Sequence, residues 1–124
     1  MFDWERIIIN PKDSIDTAIH LLNKGVGGIL LVAKNNNVLL GTITDGDIRR
    51  ALIKKLPMDT MVTDVMNSNP IKAKNPYTKE GILKEMSNKG LLHMPITDDN
   101  DVVCGLETLK QLMEKTTYDN PVFL

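Results

Sequence analysis

Aromatic residues are scarce: Trp, Tyr and Phe together make up 4% of the 124 residues. That is too few for the aromatic platform on which single-stranded nucleic acid stacks. Neither sign of charge is in excess, with 15 Lys and Arg against 16 Asp and Glu and a net charge of −1. Without a basic surplus, no overall field draws the chain to nucleic acid or to an anionic membrane. The single cysteine, Cys104, excludes an internal disulfide and fits a reducing compartment. No apolar run reaches the roughly 18–20 residues that a membrane helix needs. The N-terminus lacks the basic-then-apolar layout of a secretory signal. No nucleophile stands beside a titratable partner in the sequence, so the expectation is a cytoplasmic module that is not an enzyme. What is present is ordinary: 42% hydrophobic and 25% charged residues, which excludes disorder. The length suits one domain, or two very small subdomains sharing a core.

The chain repeats itself. Gly41-Thr42-Ile43-Thr44 returns as Gly105-Leu106-Glu107-Thr108, with an offset of 64 positions. The same offset carries Ile19 onto Leu83, Leu22 onto Met86, Val32 onto Ile96 and Val38 onto Val102. No gap is needed between Ile19 and Gln111. Each copy is too small to bury a good core alone, which predicts mutual packing about a pseudo-twofold axis.

Each copy reads as β-α-β-β-α, an α+β (α/β) architecture. Arg6–Ile9 and Ile71–Ala73 are short apolar openings of strand type, followed by the breakers Asn10-Pro11 and Asn75-Pro76. Ser14 precedes Ile15, Ala18, Ile19, Leu21 and Leu22 at helical spacing, and Thr78 precedes Ile82, Leu83 and Met86. Ser14 and Thr78 are the expected N-caps; Gly25 and Gly90 end the two helices. Strands are expected over Ile29–Val32 and Leu91–Ile96. Turns follow at Asn35–Asn37 and Asp98–Asp101, then return strands over Val38–Ile43 and Val102–Leu106. Closing helices run over Asp45–Ile53 and Leu109–Met113. The expected divisions are residues 1–55 and 70–115 for the two repeats, 56–69 for a linker and 116–124 for a C-terminal tail.

The informative segment is Gly41–Arg50, where a strand ends in a hydroxyl residue and a helix starts at once. Free N–H groups at that start, with the positive end of the helix dipole, attract phosphate. The Thr44 hydroxyl can add a hydrogen bond to a phosphate oxygen, and Asp47, one turn on, can accept from both hydroxyls of a ribose. Gly41 and Gly46 let a ligand approach the backbone. The same Thr44–Asp47 spacing is also a capping box, which needs no ligand.

The β-α-β-β-α duplication, the linker stretch Val62-Thr63-Asp64-Val65-Met66 and the turn pattern Gly-x-x-Thr-x-x-Asp resemble a CBS domain pair, or Bateman module, from about Trp4 to Met113. The resemblance implies two repeats forming a disc with two clefts, and a regulatory ligand of the AMP, ADP or ATP type, with no metal required. Carried onto this chain, it implies a first cleft of Thr42, Thr44 and Asp47, with Pro70, Ile71, Lys72 and Leu91 on the base side and His93 near the phosphates. The second cleft would use Leu106 and Thr108, with Ile7, Ile8, Gly27 and Gly28 opposite. Gln111 stands there in place of the ribose-binding acid, and Glu107 brings a carboxylate near the phosphate position, so a weaker or empty second site is expected.

The segment Thr42–Arg50 and the stretch Tyr118–Leu124, with its Asn-Pro-Val, also resemble the regulatory part of sugar-phosphate nucleotidyltransferases. The implied context is a catalytic nucleotidyltransferase domain in the same parent chain, with a homodimer as the expected assembly. A similar segment occurs in sugar-phosphate isomerases. The competing expectation is a dimerisation module that binds no nucleotide. Of the remaining polar residues, His20 reads as a surface residue and His93 as either a ligand contact or a half-buried structural histidine. One of Arg49 and Arg50 reaches phosphate or both face solvent. Asp98–Asp101 lacks the spacing of a calcium loop and reads as a solvated turn, and Cys104 reads as a small buried apolar strand residue.

Overall fold

Ser14 opens the first helix as expected, accepting a hydrogen bond from the Thr17 N–H, and Thr78 does the same from the Gly81 N–H. The computed structural model describes residues 4–25 and 28–118. In the first half a 3-10 turn over Trp4–Ile7 leads to β1 (Ile8–Ile9), α1 (Ile15–Lys24), β2 (Ile29–Lys34), β3 (Val38–Thr44) and α2 (Asp45–Ile53). The second half repeats the order with β4 (Ala73–Lys74), α3 (Lys79–Lys89), β5 (His93–Thr97), β6 (Val103–Thr108) and α4 (Leu109–Tyr118). Each half is a three-stranded sheet of order β1-β2-β3 or β4-β5-β6, its first pair parallel and its second antiparallel.

The duplication extends to an irregularity. The antiparallel register slips between Val32 and Ala33 in one sheet and between Ile96 and Thr97 in the other, positions 64 apart. In both, the residue after the slip skips one on the return strand, so Leu40 and Cys104 are the bulged residues. A bulge bends the strand and raises its twist. Its repetition gives both sheets the same curvature.

Several boundaries differ from the sequence expectation. The opening strands shrink to two residues each, because β1 and β4 meet their partners only at Leu31–Val32 and Ile96–Thr97. Leu91 and Leu92 fall outside β5. The left-handed Gly90 (φ 66°) closes α3, and the Gly90 and Leu91 N–H groups both donate to the Met86 carbonyl, which ties this stretch to the helix it leaves. The closing helix α4 runs past Met113 to Tyr118, since no Gly or Pro intervenes. Residues 119–124, including the Asn-Pro-Val stretch, lie outside the described residues.

The segment between the halves is structural. The Thr60 and Met58 carbonyls accept from the Ile15 and Asp16 N–H groups, two of the orphan donors at the start of α1. Val62, fully buried, joins the first core. That core also takes in Val103 and Leu106 from the second half, while Ile82, Met86, Met94, Ile96 and Leu112 form a smaller second cluster. The Leu39 N–H to Asp101 carbonyl bond (2.9 Å) and a Val38–Val102 bridge stitch the halves at the turn end. Among the described residues no helix is long and apolar enough to cross a membrane.

Candidate functional site

Strand alternation sets the site. Thr42 and Thr44 lie two apart on β3, hence on one face, opposite Leu31 and Ile29. Ile43 points the other way and is fully buried. On the second sheet His93 and Pro95 lie opposite Thr108 and Leu106. Leu106 packs into the first half's core, so this face looks across at the first sheet. Because α2 begins at Asp45 with no loop after β3, Thr44 is at once a strand end and a helix N-cap.

The face-to-face sheets leave a cleft of about 500 Å³. Thr42, Thr44, Asp45 and Gly46 line its first-half wall, and Pro70, Ile71, Leu91 and His93 its second-half wall. Six of the eight residues expected in the first cleft therefore meet in one cavity. The other two lie elsewhere. Asp47 lines an adjoining cavity of about 470 Å³, which shares Thr42 and Thr44 with the cleft and is otherwise walled by α2 and the linker. The Lys72 ammonium is held 2.7 Å from the Asp101 carboxylate. That contact holds the Asp101 carboxyl below its ordinary value, the hydrogen bond contributing most.

Asp47 is buried and already engaged. Its Oδ2 accepts from the Thr44 N–H (2.9 Å) and the Thr44 hydroxyl (3.2 Å), and its Oδ1 pairs with the Arg50 guanidinium. The capping reading is thus realised in the chain as it stands. A role for Gly41 also changes. A Cβ there would lie 2.6 Å from the Asn67 carbonyl oxygen and 2.7 Å from the Met66 sulfur, so the linker occupies the space expected for a ligand. Asn67 exchanges both backbone hydrogen bonds with Thr42. Gly46 meets only ordinary contacts.

Sequence reasoning missed Asn67, Gly90, Leu92 and Pro95 as cleft residues. Pro95 was accessible from the two-residue period that also selects His93. Asn67 was not, because its place depends on the linker's path. Gly28, expected opposite the second cleft, lines the first together with Ile29.

The residues of the second constellation are already engaged in packing and capping. Ile7 and Leu106 are core residues, Ile8 is half-buried, and Gly27 lies outside the described residues. Thr108 caps α4 by accepting from the Gln111 N–H (3.2 Å), and the Leu109 N–H donates to the Leu92 carbonyl (3.0 Å). The Gln111 side-chain oxygen is buried without a partner. Glu107 does not approach the phosphate position: alternation turns it to the opposite face from Leu106 and Thr108, where it accepts from the Tyr77 hydroxyl at 2.7 Å.

The remaining candidates are accounted for by local contacts. His20 is an exposed helix residue bonded to the Asp16 carbonyl. Asp98 closes its own turn by accepting from the Asn100 and Val102 N–H groups. Cys104 is half-buried, its thiol directed to the Val102 carbonyl. Among the described residues no group of three or more His, Cys, Asp or Glu side chains could hold a metal ion.

Residues 5–54 match the sequence profile of the CBS domain family. The CBS domain pair of protein MJ0100, solved with 5'-methylthioadenosine and S-adenosyl-L-methionine, superposes with a TM-score of 0.78 at 24% identity, covering 92% of this chain and 90% of that one. The chain has the fold of a CBS domain pair. A second structure, CBSX2 in complex with AMP, matches this chain with a TM-score of 0.77 at 21% identity over 90% of this chain and 87% of that one. Among curated proteins, arabinose 5-phosphate isomerase KdsD of Francisella tularensis is 29% identical over 109 residues, 86% of this chain. The chain spans only 33% of that relative's length.

Proposed function

We propose that this CBS pair is a regulatory module that binds an adenosine nucleotide in the cleft between its repeats. The observation that carries the reading is the cleft itself. The hydroxyl-bearing end of β3 and the start of α2 face the apolar Ile71 and Leu91, with His93 beside them, across about 500 Å³. That volume lies in the range of small-ligand sites. Pro70, Ile71 and Leu91 suit a base, and Thr42, Thr44 and the α2 N–H groups suit a phosphate. The ribose would fall to Asp47 in the adjoining cavity. Two fold neighbours solved with adenosine compounds support the ligand class.

The second cleft is proposed to be weaker. An amide at Gln111 lacks the charge of Asp47, which costs on the order of 1–2 kcal/mol in hydrogen bonding, and the Leu109 N–H is already used by Leu92. Binding would bias an attached enzyme by differential affinity for two states. Its proposed context is a sugar-phosphate nucleotidyltransferase, on the resemblance of Thr42–Arg50 and Tyr118–Leu124. An isomerase context is favoured instead by the likeness to KdsD. Assembly as a homodimer is part of the proposal, with exposed Leu52 and Ile53 at the end of α2 and Met113 on α4 available for it.

Isothermal titration with AMP, ADP and ATP tests the reading. Saturable heat with at least one of them, weakened in Asp47→Ala, is expected. No heat with any adenosine compound, together with a nucleotide-independent dimer in the ultracentrifuge, would leave the module an assembly device.

A further inference from the structure

Asp47 is the carboxylate that the proposed ribose site needs, and Arg50 is already on it. The Asp47 side chain is 9% exposed, whereas the Arg50 side chain is 66% exposed. One carboxylate oxygen is held by the Thr44 N–H and hydroxyl, and the other by Arg50. The two hydroxyls of a ribose ask for acceptor positions on this same group. The Thr44 N–H is fixed by the backbone at the helix start, so the contact that can yield is the one to Arg50, whose long stem stands in solvent. Once released, the guanidinium remains on the cavity wall that Thr44 also lines. Its planar fork matches the oxygens of a phosphate.

We propose that Arg50 is a specificity-determining residue: it leaves Asp47 when ribose hydroxyls arrive and re-pairs with the ligand's phosphate. The exchange makes the site favour adenosine compounds that carry a phosphate over nucleosides that lack one. A nucleoside breaks the Asp47–Arg50 pair and gives the guanidinium no new partner, while a nucleotide replaces one ion pair by another. Lys54, one turn further along α2, lines the same cavity and adds positive charge without a contact to Asp47. The inference rests on the cleft being a nucleotide site and assigns within it the residue that reads the phosphate.

The experiment is titration of the whole chain with AMP and with adenosine, in wild type, Arg50→Gln and Arg50→Lys. Wild type is expected to bind AMP at least about tenfold tighter than adenosine, the scale of one charge-assisted hydrogen bond. Arg50→Gln brings that ratio to within about twofold of unity, with AMP weakened and adenosine unchanged or tightened. Arg50→Lys, which keeps the charge, holds a ratio above that of Arg50→Gln. Equal binding of the two compounds by wild type, or a wild-type ratio persisting in Arg50→Gln, overturns the role of Arg50 and leaves the nucleotide site standing. Failure of wild type to bind either compound overturns the nucleotide site and the exchange with it.

Discussion

Glu107 accepts a 2.7 Å hydrogen bond from the Tyr77 hydroxyl inside the second half, at the strand position that the fully buried Ile43 fills in the first. The two halves share a frame, yet one builds an apolar contact where the other builds a polar pair. Glu107 is 3% exposed and has no counterpart in the first core.

Removing the hydroxyl leaves that carboxylate short of its partner. Tyr77→Phe is expected to destabilise the chain by about 1–3 kcal/mol, the cost of an unmet buried polar group. Replacing both partners, Tyr77→Phe with Glu107→Ile, recovers most of the loss, since matched apolar replacement is close to neutral. Chemical denaturation of the single and double variants checks this.

Tyr77 also titrates late. Partial burial first, then the hydrogen bond to Glu107 and its charge, push the phenol up from 10.0 to about 12. A raised value in the folded state means the stabilisation is fully present below the unfolded value and is lost as pH rises through the folded one. Stability is therefore expected to hold up to about pH 10 and to fall between pH 10 and about 12. Tyr77→Phe should lack this component. Tyrosinate absorbance, taken as wild type minus Tyr77→Phe, locates the transition.

Gly41 and Gly46 should part company. At Gly41 an added methyl meets a backbone carbonyl oxygen of the linker at 2.6 Å, and backbone cannot swing aside. Gly41→Ala is expected to cost about 1–3 kcal/mol as an overpacked site. Gly46 lies in the first turn of α2, 3.5 Å from the flexible Arg50 head, so Gly46→Ala should be neutral or stabilising by up to about 1 kcal/mol. Thermal melts of the two variants compare them directly.

How far the sequence was legible follows from these cases. The element order and the two N-caps were readable because period and capping chemistry are local. The α2 boundaries, Asp45 to Ile53, were readable for the same reason. The bulges at Leu40 and Cys104 carried no compositional mark, and the linker's contact with Gly41 is a long-range packing fact. Thr42 and Thr44 could be placed on one face because strand alternation fixes it, whereas His93 was set opposite them only by the resemblance to CBS domain pairs. Lys72 could not, since its choice of Asp101 depends on how the turn before β6 folds back.

Lys72 offers a check on that placement. Lys72→Ala is expected to leave AMP affinity within about twofold of wild type, because the ammonium pairs with Asp101 outside the cleft. The Asp101 carboxyl should move up toward its ordinary 3.8. Since its folded value is depressed, the pair's contribution is present above 3.8 and is lost as pH falls below that. A carboxyl-detected NMR titration follows Asp101.

Leu106 tests whether the halves fold as one. It is fully buried and packs into the first half's core from the second half's strand. Leu106→Ala should cost about 2–5 kcal/mol and lower a single cooperative transition. Two separate transitions, with only one displaced, would contradict the shared core.

The most direct test of the proposed nucleotide site is an amide-correlation NMR titration of the chain with AMP. Saturable shifts concentrated at Thr42–Asp47, Ile71 and Leu91–His93, with little change around Thr108 and Gln111, are the result this account predicts. No saturable shift, or shifts confined to residues away from the cleft, would contradict it.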